Sequence, residues 1–67
     1  MKFNERLKDL RLKSPLMQKE IAAAIGISVR TFQQYEQGKA EPNIEKLIKL
    51  ADIFEVSLDY LMCRFDE

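Results

Sequence analysis

QKEIAAAIGISVRTFQQYEQG, Gln18 to Gly38, is the stretch that decides the fold. Ile21, Ala22 and Ile25 share one face of a helix that starts near Gln18, and Gly26 permits the left-handed backbone that ends a helix and turns the chain. Ser28 is an N-cap residue for a second helix from Val29 to about Gln37, because its hydroxyl can accept from an otherwise unpaired N–H of the first turn. Gly38 closes that helix in the same way. The result is two short helices joined by a turn of three residues, Gly26 to Ser28.

Helical signals continue on both sides. Phe3, Leu7 and Leu10 recur at helical spacing ahead of the stretch, with Asn4 the expected N-cap, and Ser14-Pro15 stops that helix because the residue before a proline is pushed out of the helical region. Behind it, Asn43 is expected to cap a fourth helix whose Ile44, Leu47, Ile48, Ala51 and Phe54 form a broad apolar stripe. Ser57 is expected to cap a fifth, over about 58–65, carrying Leu58, Leu61, Met62 and Phe65. No segment alternates with period two, so the expectation is an all-α, compact five-helix bundle, a single domain over 1–67.

Composition narrows what such a chain does. With 67 residues, 46% of them apolar and 33% charged, it is near the lower size for a free-standing core and too apolar for a disordered chain. One cysteine and no histidine rule out an internal disulfide and the usual Cys/His zinc site, so no metal, no cofactor and no catalytic residue is expected, and the chain does not read as an enzyme. The charged N-terminus and the short longest apolar run, around Ile21 to Ile25, give neither a membrane span nor a signal segment. The cytoplasm is the expected location, and no small-molecule ligand is evident.

Net charge is zero, but its distribution is uneven. Residues 1–40 hold eight Lys/Arg against four Asp/Glu, and residues 41–67 hold three against seven. The basic half contains the paired helices. This suggests one side facing phosphate and an acidic far side, although a solvated surface with no partner carries charges too.

A helical wheel divides the second helix of the pair. With Phe32 at the centre of the buried face, Val29 and Tyr35 lie about 60° to either side and complete a packing stripe. Arg30, Gln33, Gln34 and Gln37 lie roughly 100° to 200° away, a row of planar donors and acceptors that matches base edges: a guanidinium pairs with guanine O6/N7 and a glutamine amide with adenine N6/N7. Any exposed helix face is polar, and that plainer reading competes. Glu36 lies only about 40° from Phe32, so its carboxylate points inward and needs a partner, for which Arg11 is the candidate.

LKDLR at Leu7 to Arg11, LMQKEIAAAIGIS at Leu16 to Ser28, YEQGKAEP at Tyr35 to Pro42 and LIKLADIFEVSLDYL at Leu47 to Leu61 together resemble the phage repressor and Cro type of helix-turn-helix regulator. The resemblance implies a sequence-specific transcriptional regulator, a repressor that binds double-stranded DNA at an inverted-repeat operator as a homodimer. It implies base-facing roles for Val29, Arg30, Gln33 and Gln34, backbone contacts by Gln18, Thr31 and Lys39, with Gln37 grouped with these, and a second role for Gln18 in buttressing the recognition helix. It also supports the Arg11–Glu36 ion pair. Three departures stand out: Met17 where Ser or Thr is usual, which removes a side-chain cap; Phe32 where a smaller aliphatic residue is usual; and Glu55 where glycine is frequent, which implies a different cap geometry.

Leu58, Met62 and Phe65 are the expected dimer contact, because so small a domain has little interior for all the apolar residues of its last helix. The competing reading buries Leu58 with Leu61 and leaves Met62 and Phe65 over the edge of the core. A rival function from another class is a protein-interaction or antitoxin-like module on the same fold. Salt dependence of DNA binding separates the two.

Overall fold

The computed structural model describes residues 1–64, so Phe65 lies outside the described residues. Five helices follow in order: α1 (Phe3–Lys13), α2 (Gln18–Ile25), α3 (Val29–Gln37), α4 (Ile44–Phe54) and α5 (Leu58–Leu61), with no strand among the described residues. The core is one cluster to which every helix contributes: Leu7 from α1, Ile21, Ala22 and Ile25 from α2, Phe32 and Tyr35 from α3, Leu47, Leu50 and Ala51 from α4, and Leu61 from α5. Phe32 is fully buried among them. α3 packs against both α1 and α2, which leaves its opposite side outward.

Each helix end has a local cause. Ser28, Asn43 and Ser57 accept from the backbone N–H three residues on, at 2.9 to 3.0 Å. α1 and α2 start differently: their N-cap residues are Lys2 and Met17, which have no suitable acceptor, and the backbone N–H of each donates to the carboxylate of Glu5 or Glu20 at 2.8 Å. At Met17 the glutamate half of a capping box is thus kept while the side-chain cap is missing, and the Glu20 N–H turns to the Met17 carbonyl at 3.0 Å. Asn4 lies inside α1 and is not its cap; its amide donates to the Glu36 carbonyl at 3.4 Å.

Helices α2, α3 and α4 end alike. A residue in the left-handed region follows each, and the next N–H reaches back to a carbonyl of the last turn: Ile27 to Ala22, Lys39 to Gln34 and Val56 to Ala51, at 2.9 to 3.0 Å. The left-handed residue is Gly26, Gly38 or Glu55. Glu55, at φ 56°, therefore takes the geometry a glycine would take, which corrects the expectation of a different cap.

Burial corrects the pattern reading in three places. Ile44 and Ile48 are 73% and 44% exposed, and α4 buries Leu50 with Leu47 and Ala51. Val29 is also largely outside the core at 37% exposure: as the first residue of α3 it precedes the segment that crosses α1 and α2. Finally, α5 stops at Leu61, because Met62 forms its C-cap and Cys63 turns to φ 62°. Leu58 and Met62 are exposed while Leu61 is fully buried, so α5 completes the core with one leucine.

Two arginines enter the interior. Arg6 is 5% exposed, and its guanidinium carbon lies 3.7 Å from the centre of the Tyr60 ring, joining α1 to α5 by a cation–π contact. Desolvation works against its charge, but Cys63 and Tyr60 outweigh that and raise its pKa. Arg11 meets Glu36 side on: Nε donates to Oε2 at 2.6 Å and an Nη to Oε1 at 3.1 Å. The Arg11 side chain is 19% exposed and that of Glu36 7%, and the hydrogen bond to Glu36 raises the Arg11 pKa despite desolvation.

The unequal burial of the pair sets an order for its variants. Arg11→Ala strands the more buried carboxylate and is expected toward the upper end of ~3–5 kcal/mol, and Glu36→Ala toward the lower end. Because the two act as one unit, the double variant should lose less than the sum, which thermal unfolding of all three chains will check. Glu55→Gly relieves a left-handed penalty of ~1–2 kcal/mol but adds ~0.5–1 kcal/mol of chain entropy to the unfolded state. A net gain of ~0.5–1 kcal/mol, a rise of several degrees in Tm, is the expected result.

Candidate nucleic-acid interface

The interface begins with a cap and a turn. Ser28 fixes the start of α3 through its hydroxyl, which accepts from the Thr31 N–H and also bonds the Thr31 hydroxyl, each at 3.0 Å. Thr31 is thus half-buried at the flank of the helix start. Val29 and Arg30, in the first turn of α3, are exposed. With Phe32 and Tyr35 fixed in the core and Glu36 turned in to Arg11, Arg30, Gln33 and Gln37 are left facing outward.

That direction holds a coherent surface. Arg30, Gln33, Gln34, Gln37 and Lys39 line one shallow depression along the outer side of α3. Gln33 and Gln37 are exposed and Gln34 is half-buried. Lys39 lies just past the helix, its backbone N–H held by the Gln34 carbonyl at 2.9 Å, so its side chain starts from a fixed point at the end of the row. A row of amides bracketed by two cations offers donors and acceptors to base edges and charge to phosphates.

Gln18 joins this surface to the interior. It is the first residue of α2, half-buried, and its amide spans two elements: Nε2 donates to Glu36 Oε1 at 3.1 Å, while Oε1 accepts from Gln33 Nε2 at 3.2 Å. The first turn of α2 also presents backbone N–H groups and the positive end of the helix dipole. Gln18, Gln33, Gln37 and Lys39 therefore line adjoining grooves at the same end of the molecule. Leu58 and Met62 are exposed on and just after α5, and Met62 lines a groove that also borders Gln37 and Gly38 at the end of α3.

Two cations at this end have no role in the pattern reading. Lys8 lines a groove with Gln18, Gln33, Glu36 and Gln37, and Lys19 flanks the surface that Gln18 and Val29 border. The signal for Lys8 was available. It precedes Arg11 by three residues and so shares its side of α1, the side that meets α3.

Comparison with known proteins agrees with this geometry. A family profile described as helix-turn-helix matches residues 7–61. The cryptic phage CTXphi transcriptional repressor RstR of Vibrio cholerae is 40% identical over 65 residues, which cover 97% of this chain and 58% of that protein. The SPbeta prophage-derived HTH-type transcriptional regulator YonR of Bacillus subtilis is 42% identical over 60 residues, covering 90% of this chain and 56% of its own length. The chain thus spans somewhat over half the length of these two relatives. Among solved structures, the P22 c2 repressor in complex with a synthetic operator superposes with a TM-score of 0.86 at 31% identity, over 92% of this chain and 94% of that one. By sequence and by fold, this chain belongs to the helix-turn-helix family of the phage repressor and Cro type.

Proposed function

We propose that this protein is a sequence-specific double-stranded DNA-binding transcriptional regulator, a repressor that lays α3 in the major groove of an inverted-repeat operator. The observation that carries the reading is the outward face of α3, where Arg30, Gln33, Gln34 and Gln37 stand in a row on a helix fixed from behind by Phe32 and Tyr35. Val29, Arg30, Gln33 and Gln34 take the base edges, Val29 with its methyl surface against a thymine methyl and the others by hydrogen bonds. Gln18, Thr31, Gln37 and Lys39 take the backbone, joined by Lys8 and Lys19 as phosphate cations. Supporting this, relatives are named as transcriptional repressors, and the P22 c2 repressor is held with operator DNA.

In this reading the protein acts as a homodimer. Leu58 and Met62 offer exposed apolar surface, at 38% and 51%, for a two-fold contact. A body of 28 × 24 × 21 Å is the right size for two touching copies to set their α3 helices about 34 Å apart, one helical turn of DNA. Sedimentation at micromolar concentration should show the dimer, alone or on an operator duplex. A purely monomeric distribution in both cases would sink this contact.

Binding to duplex DNA, measured against salt, tests the whole proposal. Affinity should fall with a log-log slope of about −0.9 per neutralised phosphate. Absence of DNA binding would favour a protein partner. Arg30→Ala and Gln34→Ala should each relax discrimination at one base pair by ~1–3 kcal/mol, whereas Lys39→Ala should weaken all duplexes alike and reduce the slope by about one.

A further inference from the structure

The side chains that join Arg11 to Gln33 form a directional chain. Arg11 donates to both oxygens of Glu36, Gln18 Nε2 donates to Glu36 Oε1, and Gln33 Nε2 donates to Gln18 Oε1, at 2.6 to 3.2 Å throughout. The direction follows from chemistry. A carboxylate beside an arginine only accepts, so Gln18 must turn its NH2 group toward Glu36. Its carbonyl then faces Gln33, which must offer its own NH2 group in return. Turning the Gln18 amide over would set carbonyl against carboxylate at one end and NH2 against NH2 at the other.

Gln33 is therefore left with its carbonyl oxygen as the free acceptor on the exposed side of α3. We propose that Gln33 is a reader of fixed polarity, held acceptor-outward by the buried Arg11–Glu36 pair acting through Gln18. Such a residue selects a base that presents an amino donor in the major groove. Adenine comes first, because N6–H meets the carbonyl while the remaining N–H of Gln33 donates to N7; cytosine, with N4–H alone, comes second. Guanine and thymine offer only acceptors there, so they can take the one remaining N–H of Gln33 but leave its carbonyl unpaired or against O6 or O4, and are disfavoured. Gln18 is thus a positioning residue for base choice, in addition to any phosphate contact it makes. The inference rests on the DNA-binding reading of α3.

The test is selection of bound sequences from randomised duplexes, followed by competition among all single-base variants of the preferred site. Gln33→Ala identifies the base that Gln33 reads. At that base the wild-type chain should prefer adenine, then cytosine, over guanine and thymine by about fivefold or more. Gln18→Ala removes the link but keeps the ion pair and frees the Gln33 amide to turn over, so guanine and thymine should gain on adenine there by several-fold while the preference at the Arg30 position stands. A lost phosphate contact lowers every sequence by one factor and leaves the profile unaltered. Gln18→Lys is the second variant: an ammonium still satisfies Glu36 but offers Gln33 only donors, so Gln33 turns its carbonyl inward. Preference should then invert toward guanine or thymine.

Retention of the wild-type profile by both Gln18 variants overturns the proposal, as does a wild-type preference for guanine or thymine at this base, or an unchanged profile for Gln33→Ala. A wild-type chain that binds duplex DNA without selecting any sequence, or does not bind it, overturns the DNA-reading function itself. The two failures are thereby distinguished.

Discussion

One carboxylate organises this molecule. Glu36 lies on the inner flank of α3, almost out of water, and a charge in that position must be matched by donors. Arg11 supplies two from α1 and Gln18 supplies one from the start of α2. Three helices are thus tied at a single group, and the rotation of α3 about its axis is fixed by polar geometry as well as by Phe32 and Tyr35. Apolar packing alone tolerates small rotations, since one side chain can slide over another at little cost. Hydrogen bonds with a required direction do not. The outward face of α3 is therefore set from within.

Local grammar made most of this fold legible in the sequence. Gly26, Ser28 and Gly38 place both ends of α3 to the residue, because backbone conformation and unpaired N–H groups leave few alternatives. The wheel centred on Phe32 matches the burial of Phe32 and Tyr35 and the exposure of Arg30, Gln33 and Gln37, whereas Gln34, placed on the outer face, is half-buried. It fails at Val29, where the helix has only just begun and the neighbouring elements do not yet cover it. The same limit explains α4: periodicity gives an apolar side, but only tertiary placement shows that Leu50 is covered and that Ile44, at the open end, is not.

Charge was the less legible quantity. Counting residues treats every cation as surface, yet Arg6 and Arg11 are spent inside the molecule, one on Tyr60 and one on Glu36. The cations left at the surface near α3 are Arg30 on the helix itself and individual lysines, of which Lys8 and Lys19 owe their positions to how α1 and α2 cross it. Gln18 and Gln33 are fifteen positions apart, and no one-dimensional pattern shows that their amides meet. Side-chain amides have no periodic signature, so a contact between two of them is visible only in three dimensions.

Among the described residues, the two non-glycine residues in the left-handed region, Glu55 and Cys63, stand on either side of α5. Each carries a backbone cost that Gly26 and Gly38 avoid, and Glu55 adds a negative charge at the carbonyl end of α4, where the helix dipole disfavours it. α5 itself spans only four residues, secured by Leu61 in the core and by Tyr60 over Arg6. Stability is consequently graded along the chain. The release of α5, with α2, α3 and their shared polar anchor still closed, is the expected subglobal opening of lowest free energy, so amides of α5 should exchange faster than those of α2 and α3.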